Sequence, residues 1–299
     1  MTDKTIHRLH PALRDDIGDL LTQRPVPSHQ LEQIDPFLFL NHHGPQVYGP
    51  HNRGLPFGPH PHRGFETVTF IVDGMLAHRD SAGHESVIHA GGIQWMTAGS
   101  GIVHSERTPD DLLERKRRTH GLQLWAALPR EHEEAPAAFS HTPADRIPEV
   151  QLDGAKVRVL VGSALGQTSP VPTFTETLYL DVHLDAGAAI ELDRLPDEAA
   201  LYAPFGAIEV DGEPVAANTM AMLESGAAVR VSSRDGARFV VIGGAPLDGK
   251  RFIFWNFVSS SRERIEQAAH DWEADRFVAV SGETERIPLP ALPPAWRHD

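Results

Sequence analysis

The stretch TLYLDVHL, residues 177–184, indicates what kind of fold this chain adopts. Apolar residues occupy every second position and alternate with polar or amphipathic ones, which is the pattern of a β-strand with one buried face. Other short runs are equally strand-like and are bounded by turn-forming residues; they include FETVTFIVDG (65–74), THGLQLWAAL (119–128), AKVRVLVGSALG (155–166) and ARFVVIGGAP (237–246). Because helical periodicity is scarce, the sequence predicts an all-β protein built as an antiparallel sandwich or barrel.

One helix is predicted near the carboxyl end, over residues 261–273. Ser260 precedes Glu263 by three residues, the spacing of a capping box. Apolar residues then recur at helical spacing on one face, at Ile265, Ala268, Ala269 and Trp272. The tail that follows, IPLPALPPAWRHD, is rich in proline and is predicted to be extended.

The segment PREHEEAPAAFSHTPADRIP, residues 129–148, is rich in charge and proline. We interpret it as a linker between two β-rich halves. The predicted domains are 1–140 and 149–299, the second containing the helix and the extended tail. The alternative is a long surface loop within one domain.

Composition excludes several classes of function. The 299 residues include no cysteine, which rules out disulfides, thiolate metal sites and a cysteine nucleophile. With 27 basic and 41 acidic residues the formal charge is −14, which disfavours direct binding of nucleic acid. No run is apolar enough for a membrane span or a secretory signal, so we expect a cytoplasmic protein. A monomer is the default expectation.

Two short motifs carry the chemistry. GPHPHRGFETVTF (58–70) places His60 and His62 two residues apart, and GSGIVHSER (99–107) does the same with His104 and Glu106. Residues i and i+2 of a strand point to the same face, so two such pairs on neighbouring strands can converge. Three imidazoles and a carboxylate suit a borderline divalent metal such as iron, manganese, nickel, copper or zinc. The competing interpretation is that these histidines are surface or hydrogen-bonded loop residues.

The residue between the first two histidines constrains where they lie. Pro61 has no N–H to donate to a sheet, so the pair is expected at the start of a strand or on an edge strand, where a pocket can open.

Neighbouring side chains have two interpretations each. Trp95 and Met96 could line the pocket and Thr97 could hydrogen-bond a ligand, but a strand that packs in the barrel core is favoured. His42 and His43 could close the rim of the pocket or orient a ligand histidine; the alternative is that they lie on a surface loop.

Three further residues are assigned ordinary structural roles. Asp80 and Ser81 are predicted to form a turn, since their side chains hydrogen-bond their own backbone. Arg63 is expected to form an exposed salt bridge.

The long block HPHRGFETVTF…GGIQWMTAGSGIVHSE (60–106) closely resembles the signature region of the pirin family, within the cupin superfamily. DPFLFLNHHGP (35–45) and RFIFWNFVSSSRERIEQAAHDWE (251–273) also resemble pirin segments, so the resemblance covers most of the chain. It implies a bicupin: two antiparallel jelly-roll β-barrels face to face, with a metal only in the first. The few helices are short apart from the one near the carboxyl end.

The resemblance also implies a ligand set and a metal. Pirins bind one ion, usually iron, through His-x-His and a later His-x-Glu. Those positions are filled here by His60, His62, His104 and Glu106, with Fe²⁺ as the expected cofactor. Glu66 occupies the place of a cupin glutamate and is expected either to contact a ligand without binding the metal or to be structural, because Glu106 already supplies a carboxylate.

The activity that the resemblance implies is quercetin 2,3-dioxygenase, with a small aromatic substrate and dioxygen. Glu106 would then be both a ligand and the base that takes the substrate's hydroxyl proton. One alternative is a non-enzymatic iron or redox sensor that modulates a protein partner, either a transcriptional co-regulator or a metabolic enzyme. A third is a cupin isomerase or decarboxylase that does not use dioxygen.

Overall fold

The computed structural model describes residues 5–52, 54–226 and 228–291. The first strands are β1 (Ile6–Pro11), β2 (Leu13–Arg14), β3 (Thr22–Val26), β4 (Phe37–Tyr48), β5 (Pro56–His62), β6 (Phe65–Asp73), β7 (Met75–Asp80), β8 (Glu85–His89), β9 (Ile93–Thr97), β10 (Ile102–Arg107), β11 (Arg117–Ala127) and β12 (Ala138–Thr142). Single turns of 3-10 helix span Asp110–Leu112, Arg130–His132 and Ala144–Arg146.

The remaining strands are β13 (Glu149–Leu152), β14 (Ala155–Val161), β15 (Ser163–Ala164), β16 (Gln167–Thr168), β17 (Thr177–Leu184), β18 (Ala189–Asp193), β19 (Glu198–Phe205), β20 (Ile208–Val210), β21 (Glu213–Val215), β22 (Thr219–Leu223), β23 (Ala228–Ser232), β24 (Ala237–Gly244), β25 (Phe252–Phe254) and β26 (Phe257–Ser259). Helix α1, Arg262–Glu273, follows. No helix in these described ranges is long and apolar enough to cross a membrane.

Each half of the chain forms most of a barrel, which has one large and one small antiparallel sheet. The first barrel has the orders β12-β9-β6-β11-β4-β3-β2 and β5-β10-β7-β8. The second has the orders β1-β22-β19-β24-β17-β14-β13 and β18-β23-β20-β21. This confirms the predicted fold of two antiparallel β-barrels.

Strand β17 shows how the two barrels are packed. Leu178, Leu180, Val182 and Leu184 face the core of the second barrel, as their alternation predicted. The intervening Tyr179 and Asp181 are fully buried as well, so the prediction of a single buried face was wrong. The reason is that the two large sheets pack face to face. The core between them contains Phe37, Val68, Phe70, Leu122 and Leu124 from one barrel and Tyr179, Tyr202, Val240 and Ile242 from the other.

A buried carboxylate lies beside this shared core. Asp181 binds Arg238 through two hydrogen bonds, at 2.7 and 2.9 Å, and lies 3.8 Å from Arg158 and 3.5 Å from His183. Both guanidinium groups lie near the ring of Phe70 in the first barrel, 5.6 and 5.9 Å from its centroid. A charged cluster of the second barrel therefore packs on an aromatic side chain of the first.

Replacing Asp181 by asparagine is expected to lower the free energy of unfolding at pH 7 by about 3 kcal/mol, because Arg238 loses its buried counter-charge. Burial alone would raise the pKa of Asp181, but the contacts with His183 and Arg238 lower it to about 2. A carboxyl group with a lowered pKa stabilises the fold above its ordinary pKa. This contribution, about 2 kcal/mol, is lost as the pH falls from about 4 to about 2.

Urea unfolding of the wild type and of this variant at pH 7 and pH 2.5 tests the effect, since the difference should shrink at the lower pH. Asp235→Asn is the matched control, because Asp235 pairs with Arg234 on the open surface and should leave the unfolding midpoint unchanged. Equal losses in the two variants would contradict a special role for the buried pair.

The segment 129–148 is more than a linker. Residues 138–142 form β12, which pairs with β9 at the edge of the large sheet of the first barrel. Glu133 is buried and accepts hydrogen bonds from Ser259 and Ser260. The interpretation as a linker was therefore wrong for residues 138–142, because they complete a sheet edge. The domain limits 1–140 and 149–299 stay a prediction.

Both ends of the chain contact the barrel formed mainly by the other half. Strand β1 pairs with β22. Strand β26 lies against the first barrel, where Val258 N donates to Arg63 O at 3.0 Å. Gly64 permits this approach, because its φ is +82° and a Cβ there would lie only 1.8 Å from Val258 O.

Arg63 also forms a salt bridge with Asp271 of α1, at 3.2 Å. The side chain of Arg63 is only 16% exposed, so the salt bridge that was expected to be exposed is largely buried.

Helix α1 is confirmed, with a corrected beginning. Its cap is Ser261 rather than Ser260, and the Ser261 Oγ accepts from Arg264 N at 3.3 Å. Ser260 instead donates to Glu133. The apolar face predicted for this helix is buried, at Ile265, Ala268, Ala269 and Trp272. Residues 292–299 of the predicted extended tail lie outside the described residues.

Candidate metal centre

Two neighbouring strands place the predicted histidines. Strand β5 is the edge strand of the small sheet, which confirms the position predicted from Pro61. Strand β10 pairs with it, and His104 lies directly opposite His60. A register shift follows between His104 and Glu106. Such a bulge changes the direction of the side chains that follow it in the strand.

The three histidines converge inside the first barrel. Ligand nitrogens of His60, His62 and His104 all lie within 4.8 Å of one another, and their ring centroids are 4.4–4.9 Å apart. All three side chains are buried. Among the described residues they form the one group of three or more histidine or acidic side chains with this geometry.

The nitrogen positions suit a divalent metal ion. His62 Nε2 and His104 Nε2 are 2.9 Å apart, so a shared proton or a metal ion is required between them. Two adjacent ligands of an octahedral ion, each about 2.1 Å from it, lie about 3.0 Å apart. His60 Nδ1 donates to Gly58 O at 2.8 Å, which leaves the lone pair on Nε2 free for ligation.

Burial keeps these imidazoles neutral, as ligands must be. It lowers the pKa of His60 to about 4, against an opposing hydrogen bond to Gly58. It also lowers the pKa values of His62 and His104 well below the ordinary value, and the proximity of His60 adds to the effect.

Glu106, the predicted fourth ligand, lies in the same cavity as His60 and His62 but outside the group of converging nitrogens. Its Oε1 is 3.2 Å from the hydroxyl of Thr69, which is also 2.8 Å from Gln123 Oε1 and donates to one of the two at a time. Burial raises the pKa of Glu106 to about 7, and the contact with Thr69 opposes that shift.

The cavity beside the histidines has a volume of about 490 Å³, within the range of small-molecule sites. Its walls are largely apolar and aromatic. Trp125 stacks on Phe39 with ring centroids 4.4 Å apart. The carboxyl-terminal hairpin closes one side with Ile253, Trp255 and Asn256, and the tail adds Ile287. Trp255 has a φ of +51°, which is rare for a bulky residue.

Comparison with known proteins agrees with this arrangement. The family model described as Pirin matches residues 19–126, and the model described as Pirin C-terminal cupin domain matches residues 179–278. A pirin-like protein of Caulobacter vibrioides is 40% identical over 93% of this chain and 97% of its own. The chain belongs to the pirin family.

Two further relatives of this pirin-family chain carry the name of an enzyme. A Pseudomonas aeruginosa protein provisionally named quercetin 2,3-dioxygenase is 35% identical over 94% of this chain and 88% of its own. A crystal structure titled quercetin 2,3-dioxygenase, from Acinetobacter baumannii, superposes with a TM-score of 0.88 at 31% identity and covers 96% of both chains.

Glu66 lies away from the histidines. It shares a strand face with Val68 and Phe70, which pack between the barrels, and it accepts from Thr97 Oγ1 at 2.7 Å. Burial raises its pKa to about 7. Of the two roles expected for Glu66, this position agrees with the structural one.

The remaining candidates divide between core and cavity. Trp95 and Met96 pack in hydrophobic cores, as favoured. His42 lies between the barrels, where its ring nitrogens are 3.0 Å from Tyr202 Oη and 2.8 Å from His120 Nε2. His43 lines the cavity. The interpretation of His42 and His43 as surface-loop residues was wrong, because both are buried in strand β4.

Sequence reasoning missed two contributors to this pirin site. The Trp255–Asn256 turn lies far along the chain from the histidines, and no local pattern links them. His78 and Asp80 are spaced i and i+2 on β7, the same spacing that identified the ligands, but Asp80 was assigned only to a turn. It does form that turn, accepting from Ala82 N and His84 N.

Proposed function

We propose that this pirin-family chain is an iron-dependent dioxygenase that acts on flavonol-type substrates in the manner of quercetin 2,3-dioxygenases. The observation that carries the proposal is the convergence of three buried histidines beside an apolar cavity that also contains a carboxylate. The names of the Pseudomonas and Acinetobacter relatives support the same reaction class.

In this proposal His60, His62 and His104 hold the ion, and Glu106 is the fourth ligand. The donor set of imidazole and carboxylate, without sulfur, fits Fe²⁺ as well as its divalent neighbours. When bound, the ion supplies Lewis acidity and one-electron redox chemistry toward dioxygen.

The side chains around the site bind and orient the substrate. Trp125 and Phe39 offer an aromatic wall to a planar ring system, and the cavity of about 490 Å³ has room for it. Glu106 is the acidic side chain among the residues that line this cavity. Its carboxylate receives the proton of the substrate hydroxyl, and the Thr69 hydroxyl orients it.

Anaerobic addition of quercetin to the Fe²⁺-loaded protein is expected to shift the absorbance of the flavonol, because binding in the site favours its deprotonated form. Admission of air should then consume dioxygen and release carbon monoxide in matched amounts. An oxygen electrode and a carbon monoxide assay measure both. Fully loaded protein that leaves the spectrum unchanged and consumes no dioxygen would refute the proposed reaction.

A further inference from the structure

A buried pair of side chains lies behind His104, on the side away from the cavity. Strand β7 pairs with β10, so that Asp80 lies opposite His104 and His78 opposite Glu106. His78 Nε2 is 3.1 Å from Asp80 Oδ2, and His78 Nδ1 is 3.4 Å from His104 Nδ1. The exposed fractions of His78, Asp80 and His104 are 1%, 3% and 0%. The pair therefore touches a proposed ligand without facing the cavity.

The neighbours of each nitrogen determine which atoms carry protons. His78 Nε2 faces a carboxylate oxygen, so it carries a proton and donates it. With its proton on Nε2, the neutral His78 ring has its lone pair on Nδ1, which can accept from Gln94 Nε2 at 3.1 Å. His104 Nδ1 faces the same acceptor and must be a donor. The proton of His104 is thus on Nδ1, and the lone pair is on Nε2, the nitrogen that faces His62.

We infer that Asp80 and His78 are positioning residues that hold His104 in the tautomer and orientation required to ligate a metal ion. The inference rests on the metal site of the proposed function. A hydrogen bond to the remote nitrogen of a ligating histidine fixes its ring and raises its basicity. Here that bond passes through a second imidazole to a carboxylate.

The positioning pair is itself held rigidly. One oxygen of Asp80 accepts from the backbone of Ala82 and His84, which fixes the carboxylate in the turn after β7. The ring of His78 stacks on Phe139 with centroids 4.5 Å apart. Asp80 therefore has two functions in this geometry, because it forms the turn and also sets the proton on His78.

Asp80→Asn separates these two functions. The asparagine oxygen can still accept from Ala82 and His84, while its amide nitrogen now faces His78 Nε2 and can only donate. His78 then carries its proton on Nδ1, and the amide of Gln94 can turn to accept it with Oε1, which is buried without a partner in the wild type. His104 Nδ1 thereby loses its acceptor. We expect His104 to place its proton on Nε2, and the affinity for added Co²⁺ to fall about 10- to 100-fold.

Two measurements test this. Long-range ¹H–¹⁵N correlation spectra of metal-free, histidine-labelled protein report the tautomer of His104, which should be Nδ1-protonated in the wild type and altered in Asp80→Asn. Titration with Co²⁺, followed by its visible absorption bands, reports affinity and ligand field. Arg79→Gln is the matched control: Arg79 lies between the two residues on β7 and pairs at 2.9 Å with the exposed Glu85, so both readouts should be unchanged.

The outcomes separate this inference from the metal site. If the wild type binds Co²⁺ and Asp80→Asn binds it with the same affinity and spectrum, the positioning role is wrong and the metal site stands. If an Nε2-protonated His104 is found in the wild type, the proton assignment is wrong. If the wild type binds no Co²⁺ at these histidines, both proposals are overturned. Thermal unfolding of each variant confirms that a lost signal does not reflect a lost fold.

Discussion

His104→Ala is expected to abolish metal retention and to reduce flavonol turnover to background. His104 is fully buried, and its Nε2 lies 2.9 Å from the Nε2 of His62. Removing the imidazole of His104 therefore removes one of two neighbouring nitrogens that are proposed to bind the ion. Loss of an outer hydrogen-bond partner weakens metal binding about 10- to 100-fold, so loss of a ligand should weaken it by more than about 100-fold. Elemental analysis after dialysis, together with dioxygen consumption, measures both effects.

The control for this variant is another histidine of the same barrel. His89→Ala removes an exposed imidazole at the end of β8 and should leave metal content and turnover unchanged. Circular dichroism and thermal unfolding establish that the His104 variant is folded. A folded His104→Ala protein that keeps a full complement of iron would exclude the three-histidine site.

The spacing of the histidines was sufficient to predict which side chains share a strand face, because strand geometry is local. Residues i and i+2 face the same side of any strand, so the pair His60 and His62 needed no knowledge of the rest of the fold. The pairing of β5 with β10, which brings His104 opposite His60, is not local. Register between distant strands depends on turns and on the hydrophobic pattern of the whole sheet. The family resemblance supplied that part of the prediction.

The surroundings of the site escaped prediction for the same reason. Trp255 and Asn256 reach the cavity only because the last hairpin of the chain lies against the first barrel. The role of Asp80 depends on which strand lies beside β7. On β17, the polar Asp181 suggested a solvent-facing side, whereas its guanidinium partners allow it to be buried between the barrels. The residues next to a side chain in the sequence predict which face of the strand it lies on. They do not predict which part of the protein packs against that face.

Glu106→Gln is expected to retain metal while turnover falls about 10²- to 10⁴-fold, the usual range for loss of a general base. Three imidazoles remain to hold the ion, and the amide is close in shape to the carboxylate it replaces. The neutral amide cannot accept the substrate's hydroxyl proton. Turnover is measured with saturating Fe²⁺, and metal content is determined on the same sample, so that reduced metal occupancy is not mistaken for loss of the base.

The chain provides a matched control for this substitution in Glu66. Both glutamates are buried in the first barrel, and burial raises the pKa of each to about 7. They differ in direction, because Glu106 lines the cavity and Glu66 faces Thr97 on the other side of its sheet. Glu66→Gln should therefore leave turnover within about twofold of wild type, as expected of a substitution outside the site.

If both variants lose turnover equally, the loss reflects a general need for buried carboxylates in the barrel, and the assignment of Glu106 as the base is wrong. If the Glu106 variant alone keeps full turnover with a full complement of iron, the proton must be taken by another group.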